Sequence, residues 1–261
     1  MPYRLLSICQ RIGVLILFAL SSFLLSGCWE DFTEEKNKLV IGMASDYPPF
    51  EFLQGDKIVG YDVDLITKIT KILRKEPVIK SIPFYMLLAA TQSGEIDLAI
   101  SAISQTPARE ERVSFSDVYY NTHMAILYRP DPDRAQPWSD LSDLNGKKVG
   151  VRTGTVFYDF IMEQKNAGLD VQIIIRENTM IILDELKDGL IDAAVVESAT
   201  ATNMAKKESL LFFILNQFVA QNYAIAMPKN SPLIPQINDA LAKVVSSGGL
   251  DKLEKEWLPS E

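Results

Sequence analysis

Cysteine and histidine are almost absent from this chain of 261 residues. The sequence contains two cysteines, Cys9 and Cys28, and a single histidine, His123. Zinc sites in proteins are built from several Cys and His ligands, so no His/Cys metal site is expected here. We expect His123 to have a structural or hinge role instead.

An excess of positive charge is also missing. Lys and Arg number 26 against 34 Asp and Glu, which gives a formal net charge of −8. No basic stripe is present, so nucleic acid is not expected as a partner. The chain also lacks a nucleophile elbow, a phosphate-binding P-loop and a dinucleotide-binding glycine pattern. Proteins that depend on those motifs are excluded, and no cofactor is expected.

The long apolar run in the sequence lies at the N-terminus. Arg4 and Arg11 precede this run, which covers residues 12–25 and is followed by Ser-Gly-Cys. A charged start, a short apolar core and small residues before a break are typical of an export signal. The run is too short for a comfortable membrane span. The alternatives are a plain secretory signal or an uncleaved anchor, in which Cys28 is incidental.

The end of this segment resembles the signal of bacterial lipoproteins. The resemblance implies cleavage before Cys28, attachment of lipid to its sulfur, and an exported protein held at the periplasmic face of the cell envelope. Residues 1–27 would be the signal peptide and residues 28–37 a polar tether. Cys9 would leave with the signal peptide, so the mature chain would have no internal disulfide.

Beyond the tether, short apolar runs alternate with amphipathic segments. The runs indicate buried strands, and apolar residues at three-to-four spacing indicate helices. Strands are expected at 39–43, 78–82 and 96–100, and helices at 61–73 and 85–91. Strands that alternate with helices predict a mainly parallel sheet flanked by helices.

The same pattern restarts after the charged, Pro-containing segment 129–133. The sequence Ser-Gly-Glu-Ile-Asp-Leu-Ala at 93–99 is echoed by Asp-Gly-Leu-Ile-Asp-Ala-Ala at 188–194. This echo predicts two similar α/β lobes rather than a tandem solenoid. Further strands are expected at 148–152, 171–175, 191–196 and 223–227, and helices at 156–164, 181–188, 234–246 and 250–257.

Arg109 and its surroundings are the first indication of function. Thr106 is a good N-cap and Pro107 a favoured first helical residue, so a helix is predicted to begin there. Arg109 then lies in the first turn, where the helix dipole disfavours a cation. A bound anion, such as a carboxylate, would use the guanidinium, free backbone N–H groups and the hydroxyls of Ser101 and Ser104 together. The alternative is a surface Arg paired with Asp or Glu.

Seven motifs, taken together, resemble one known family. They are Tyr47-Pro48-Pro49-Phe50-Glu51-Phe52, Val59-Gly60-Tyr61-Asp62-Val63-Asp64-Leu65, Ser104-Gln105-Thr106-Pro107-Ala108-Arg109, Phe115-Ser116-Asp117-Val118-Tyr119-Tyr120, Leu144-Asn145-Gly146-Lys147-Lys148-Val149-Gly150-Val151, Thr153-Gly154-Thr155, and Gly248-Gly249 ahead of Leu253 and Trp257. Over residues 39–258 the chain resembles the polar amino-acid-binding proteins of bacterial ABC importers, the extracellular solute-binding proteins of family 3, in a lipoprotein form.

The resemblance implies an α/β fold of the type II periplasmic-binding-protein class. Each of two lobes would contain a mainly parallel sheet flanked by helices, and two strands would form the hinge. Lobe I would comprise residues 38–121 and 222–261, and lobe II residues 122–221. The lobes would close on a ligand that binds in the cleft between them.

The resemblance also implies how an amino-acid head group would be bound. Arg109 would bind the ligand carboxylate, together with backbone N–H groups at Thr155 and Val156. Ser104 and the carbonyl group of Ala102 would contact the rest of the head group.

Three more residues complete the implied site. Glu197 stands where the family usually has an Asp, and it would pair with the ligand ammonium. A zwitterion taken out of water needs both of its charges met. Tyr47 and Phe84 would flank the ligand side chain, with core packing as their alternative role.

A few positions bear on which amino acid is bound. Ala44 stands where several relatives have an acidic or amide residue, which weakens the case for a strongly cationic ligand. Arg152, if it faces the pocket, would favour an acceptor on the ligand side chain, as in glutamine or glutamate; otherwise it is a surface residue. Asp46 is expected to cap a turn, with ligand contact as the alternative. Asp62 and Asp64 are expected to cap a helix start.

The leading hypothesis is therefore a monomeric, lipid-anchored receptor without enzymatic activity. It would capture a free polar L-amino acid, with glutamine or glutamate favoured and arginine as an alternative, and deliver it to an ABC permease with its ATPase. A second hypothesis is an enzyme of the same fold that dehydrates a cyclic acid, with Glu197 as the candidate general acid. A third is a sensor or adhesion lipoprotein that acts through a separate partner.

Overall fold

The computed structural model describes residues 37–133, 136–216 and 221–258. The predicted signal peptide, Cys28 and the predicted tether up to residue 36 lie outside these residues. Within the described part of the chain, none of the helices is both long enough and apolar enough to cross a membrane.

Strands and helices alternate along much of the described chain, as the apolar patterns predict, but no helix separates β2 to β4, β7 from β8, or β12 from β13. The strands are β1 (Lys38–Met43), β2 (Asp46–Tyr47), β3 (Glu51–Gln54), β4 (Lys57–Val59), β5 (Glu76–Ser81), β6 (Leu98–Ala99), β7 (Val113–Thr122), β8 (Met124–Tyr128), β9 (Lys147–Arg152), β10 (Val171–Arg176), β11 (Ala193–Glu197), β12 (Leu211–Ile214) and β13 (Gln221–Pro228). The helices are α1 (Tyr61–Leu73), α2 (Phe84–Ser93), α3 (Pro107–Glu110), α4 (Val156–Asn166), α5 (Thr179–Lys187), α6 (Ser198–Glu208), α7 (Leu233–Ser246) and α8 (Gly249–Trp257).

The first five-stranded sheet uses strands from both ends of the described chain. Its order is β5-β1-β6-β13-β7. Strand β1 is parallel to both β5 and β6, whereas β13 is antiparallel to β6 and β7. Helix α1 packs on α7 and α8, while α2 packs on β1 and β13. We call this sheet and its helices, with α3 and the small sheet β2-β3-β4, the first lobe.

The second five-stranded sheet is built from one continuous stretch of chain, and its order is β10-β9-β11-β8-β12. Strand β9 is parallel to β10 and β11, and β8 is antiparallel to β11 and β12. Buried side chains from strands and helices form its core, among them Leu127, Ile182, Leu186 and Val196. We call this sheet, with helices α4 to α6, the second lobe.

The chain crosses between the two sheets twice. It leaves the first sheet at the end of β7 and enters the second at the start of β8, with only His123 between them. It returns from β12 to β13, and the end of β7 pairs with the start of β13, Thr122 opposite Gln221. His123 is exposed at this crossing, and its carbonyl oxygen accepts the N–H of Ser198 at 2.9 Å.

The predicted start of helix α3 is confirmed. The side chain of Thr106 accepts the N–H of Arg109 at 3.3 Å, and Pro107 occupies the first helical position. Arg109 therefore lies in the first turn of a helix that is only four residues long.

The prediction that Asp62 and Asp64 cap the start of α1 is wrong. The helix begins after Gly60, and no side chain caps its first turn. Asp62 Oδ2 instead accepts the N–H of Ala102 at 2.7 Å, and Asp64 Oδ2 accepts the indole N–H of Trp257 at 2.8 Å. Both carboxylates bind partners that are remote in sequence, which a local cap pattern does not reveal.

Candidate ligand-binding cleft

A small cavity lies between the two lobes, and most of the predicted site residues meet there. Those that line it are Tyr47, Phe84, Ser101, Ala102, Ser104, Arg109, Arg152, Thr155 and Val156. The sequence analysis missed six further lining residues: Phe157, Thr179, Ile182, Val195, Val196 and Tyr223. Two of these had a local signal, because they lie at the start of a helix: Thr179 directly follows the N-cap Asn178, and Phe157 comes two residues after the N-cap Thr155.

Arg109 presents a cation that has only neutral partners. Its guanidinium donates hydrogen bonds to the carbonyl oxygens of Ser104, at 2.7 Å, and Gly154, at 3.0 Å. Within the described residues it forms no ion pair. Burial lowers the pKa of the Arg109 guanidinium, yet an Arg side chain keeps its charge in proteins. The negative charge of Asp159 opposes this shift, but it forms no ion pair with Arg109, so the guanidinium remains available to bind an anion.

The start of helix α4 faces Arg109 from the second lobe. The Thr155 hydroxyl accepts the N–H of Tyr158 at 3.2 Å and donates to the carbonyl oxygen of Arg152 at 2.7 Å. The N–H groups of Val156 and Phe157, at the first two helical positions, have no partner within the helix. Backbone N–H groups of the second lobe and a guanidinium of the first therefore converge, which is suitable for a carboxylate.

The backbone of the second lobe packs closely against the first lobe at Gly154. Its backbone has a φ of +73°, and a Cβ atom built there would lie 2.9 Å from Cβ of Tyr85 in the first lobe. Any other residue would be strained and would push against helix α2. Glycine thus permits the contact that brings α4 to Arg109.

Residues 101–104 form the first-lobe wall of the cavity, directly after β6. Ser101 is fully buried, and its hydroxyl donates to Glu51 Oε1 at 2.6 Å and accepts the N–H of Ala44 at 3.1 Å. The Ser101 hydroxyl is therefore held inside the lobe. Ala102 has a left-handed backbone with φ of +48°, and Ser104 forms a β-bridge with Tyr223.

Arg152 faces the cleft and forms an ion pair across it. Its Nη2 atom lies 2.5 Å from Oδ1 of Asp46, and Oδ2 of Asp46 accepts the N–H of Thr179 at 3.0 Å. Nε of Arg152 donates to the carbonyl oxygen of Glu177 at 3.2 Å. Asp46 thus pairs with the opposite lobe, and the expectation that it caps a turn is wrong.

The guanidinium of Arg152 also lies against the two predicted aromatic residues. Its central carbon is 4.6 Å from the ring centroid of Phe84 and 5.8 Å from that of Tyr47, within cation–π range. The Tyr47 hydroxyl accepts the N–H of Glu197 at 3.3 Å, and burial raises the pKa of this hydroxyl well above its ordinary value.

Glu197 is the predicted site residue that does not line the cavity. Its carboxylate caps helix α6 by accepting the N–H groups of Ala199, at 2.8 Å, and Thr200, and Thr122 Oγ1 donates to it at 2.9 Å. Burial raises the pKa of Glu197, while these hydrogen bonds oppose the shift. The carboxylate is turned back over its own helix and does not line the cavity, so direct contact with a ligand ammonium does not fit this arrangement.

The cavity is narrow in this conformation. The centre of a water-sized sphere can occupy about 20 Å³ there, which is room for about one water molecule. On the other side of the Arg152–Asp46 pair, a wider groove of about 220 Å³ is lined by Ala44, Ser45, Asp46, Ser81, Ile82, Pro83, Arg152, Glu177 and Asn178. The inner cavity has no room for an amino acid in this conformation.

Fold, cleft and sequence point to the same group of proteins. The chain belongs to the bacterial extracellular solute-binding proteins, family 3, whose model matches residues 39–260. It is 33% identical over 258 residues to the arginine-binding extracellular protein ArtP of Bacillus subtilis (strain 168), which covers 95% of this chain and 98% of that protein.

Solved structures show the same fold. An ancestral arginine-binding protein bound to arginine matches with a TM-score of 0.77 and 32% identity, over 85% of this chain and 99% of its own. The ancestral amino acid-binding protein AncCDT-1, described as a precursor of cyclohexadienyl dehydratase, matches with a TM-score of 0.79 and 27% identity, over 88% and 99%. The predicted α/β fold of type II periplasmic amino-acid-binding proteins is confirmed.

Proposed function

We propose that this protein captures a polar L-amino acid between its two lobes and delivers it to an ABC permease with its ATPase. Residues 38–121 with 222–261 would move against residues 122–221 about the two crossings. Anchored through lipid on Cys28, the monomeric receptor would work at the periplasmic face of the envelope. Family membership and the kinds of ligand named for its relatives support this proposal.

The observation that carries the proposal is that the guanidinium of Arg109 has no ion-pair partner among the described residues. A buried cation normally has an anionic partner, because an unpaired charge in a low-dielectric site is costly. Arg109 has two carbonyl partners instead, one from each lobe, and the free N–H groups of α4 lie nearby. A ligand carboxylate placed there would bind both lobes and would favour closure.

The ligand ammonium has several acceptors on the other side of the head group. We assign it to the carbonyl group of Ala102 and the hydroxyl of Ser104. Glu197 would act as a counter-charge next to the cavity, or as a direct partner if its side chain turns away from α6 when the lobes open.

Arg152 would select the ligand side chain. Within the described residues its Nη1 atom donates no hydrogen bond, whereas Nε and Nη2 are both in use. An amide or carboxylate oxygen on the ligand could accept from Nη1, whereas a guanidinium or ammonium would have to displace Arg152 from Phe84. We therefore favour glutamine or glutamate over arginine.

A thermal-shift screen of the mature protein against the common L-amino acids tests the proposal. We expect one ligand to raise the melting temperature with a concentration dependence set by its dissociation constant. Arg109→Ala should abolish this rise. Arg112→Ala is the matched control, because Arg112 is an exposed residue three positions away that donates to Gln92 and does not line the cavity.

The same screen separates the two alternative functions. Turnover of a cyclic acid without any stabilisation by amino acids would favour a dehydratase, for which the raised pKa of Glu197 is the supporting observation. Neither stabilisation nor turnover would favour a lipoprotein that signals through a protein partner, and would contradict the proposal.

A further inference from the structure

Two acidic side chains are fully buried directly behind the wall of the cleft. Glu51, at the start of β3, and Asp62, in the first turn of α1, are both completely shielded from solvent. They belong to two of the sequence motifs, and neither lines the cavity. The binding of an amino-acid head group therefore leaves them without an assigned role.

The two carboxyl groups are close neighbours, and each has one oxygen without a donor. The negative charge of Asp62 contributes to the raised pKa of Glu51. Glu51 Oε2 and Asp62 Oδ1 receive no hydrogen bond from any donor in the described residues. Two ionised carboxylates cannot donate to each other, so a hydrogen bond between them requires one of the pair to be protonated.

The remaining two oxygens hold the loop that lines the cleft. Oε1 of Glu51 accepts the hydroxyl of Ser101 at 2.6 Å. Oδ2 of Asp62 accepts the N–H of Ala102 at 2.7 Å and the hydroxyl of Tyr119 at 2.9 Å. Ala102 is the residue with the left-handed backbone, and the hydrogen bond that its N–H donates to Asp62 holds this strained conformation.

The charges around the pair do not compensate for two ionised carboxylates. Arg152 lies on the far side of the cleft wall, and its positive charge favours the ionised form of Glu51. Asp46, the ion-pair partner of Arg152, opposes this effect with its negative charge. On the α1 side, the Tyr61 hydroxyl lacks a hydrogen-bond partner among the described residues. Burial raises the pKa of Glu51 well above its ordinary value and that of Asp62 to about 7.

We propose that Glu51 and Asp62 share one proton at neutral pH, and that this proton keeps residues 101–104 in the form that binds the ligand. Loss of the proton would place two repelling charges behind the loop and release Ser101 and Ala102. The two acids are positioning residues. Their effect on the ligand rests on the proposed function, whereas their shared proton does not.

The ligand-free protein gives the first test. Glu51→Gln should reproduce the protonated pair, since its amide oxygen can accept from Ser101 and its amide N–H can donate to Asp62. A carboxyl group whose pKa is higher in the folded than in the unfolded protein stabilises the fold. This contribution is fully present below the unfolded pKa of about 4, and it disappears as the pH rises through the folded pKa. The melting temperature of wild type should therefore fall relative to Glu51→Gln, by about 3 °C per pH unit across the titration.

Asp97→Asn is the matched control for this comparison. Asp97 also accepts a backbone N–H, from Val40 at 2.7 Å, and within the described residues no acidic side chain is hydrogen-bonded to it. Its variant should keep the pH dependence of wild type. Parallel melting curves for Glu51→Gln and wild type at every pH would overturn the proposal.

Two further measurements cover a variant that fails to fold. Asp62→Asn can also keep the contact, with its amide N–H donating to Glu51, and it should show the same reduced pH dependence. In wild type at pH 7, the infrared band of a protonated carboxylic acid should be present and should disappear at alkaline pH. Absence of this band at pH 7 would overturn the proposal whatever the variants do.

Ligand affinity gives the second test. The ligand is the amino acid found by the thermal screen. As the pH rises, the dissociation constant of wild type for this ligand should increase. The increase should be about tenfold for each unit by which the pKa of the pair differs between the open and the ligand-bound forms. Glu51→Gln should bind equally well at pH 6 and pH 8.5. If no amino acid binds, the proposed function fails, while the ligand-free melting curves still decide whether the proton is shared. If wild type and Glu51→Gln respond equally to pH, the link to the cleft is wrong.

Discussion

The ion pair between Arg152 and Asp46 gives the sharpest prediction for stability. Both side chains are nearly buried, with 5% and 11% of their surfaces exposed. Removing one member of a buried pair leaves an uncompensated charge, which typically costs about 3–5 kcal/mol. Asp46 keeps the N–H of Thr179, and Arg152 keeps the Glu177 carbonyl, so we expect the lower end, about 3 kcal/mol, for Arg152→Met and for Asp46→Asn.

The double variant should be much less destabilised than the sum of the single ones. It contains neither charge, so the expected coupling free energy in the double-mutant cycle is about 2 kcal/mol or more. Urea unfolding at pH 7, followed by circular dichroism and fluorescence, measures it. For a domain of this size, each single variant should also lower the melting temperature by about 6–12 °C.

A surface pair within the second lobe provides the control. Lys187 and Asp184 are 3.9 Å apart, with 36% and 64% of their side chains exposed, and their cycle should give a coupling free energy below about 0.5 kcal/mol. If the Arg152 and Asp46 variants prove additive within about 0.5 kcal/mol, the pair is not a buried contact between the lobes in solution.

Two further predictions concern closure of the cleft and the cap of α6. Gly154→Ala should lower the apparent ligand affinity, measured from the thermal shift, at least tenfold while leaving the unliganded protein folded. The reason is that the new Cβ meets Tyr85 only when the lobes are closed. Equal thermal shifts for the variant and wild type would contradict this. Glu197→Gln should lower the free energy of unfolding in urea by about 1–3 kcal/mol, because an amide N–H would face the backbone donors of Ala199 and Thr200. An unchanged urea midpoint would mean that the carboxylate does not cap the helix.

Periodicity in the sequence predicted most of the helices, but the 11-residue helix α6 and the 10-residue strand β7 were missed. The helices at α1, α2 and α7 follow apolar spacing that their own residues carry, so local sequence was sufficient. Strand β8 was missed, although all five of its residues are buried, because it follows β7 after a single residue and no turn signal separates them. The short strands β2 to β4 also lack a periodic pattern, being only two to four residues long.

For the cleft, the sequence predicted positions better than partners. Arg109 stood out because a cation in the first helical turn conflicts with the helix dipole, and this conflict is local. The pairing of Arg152 with Asp46 joins residues 106 positions apart, and only the folded chain brings them together. Asp62 was predicted to be a helix cap because only its local surroundings could be read from the sequence. Its actual partners, Ala102 and Tyr119, lie far along the chain.

The continuity of the second sheet has a consequence for how such proteins diversify. One uninterrupted segment of the chain supplies strands β8 to β12. It begins after the end of β7 and ends before the start of β13, and these two strand ends pair with each other. Recombination that replaced this segment with that of a relative would exchange Thr155, Val156 and Arg152 in a single event and leave Arg109 and Tyr47 untouched. Chimeras joined at these crossings would therefore exchange Arg152 and the backbone donors at the start of α4 together, while the guanidinium of Arg109 stays in place.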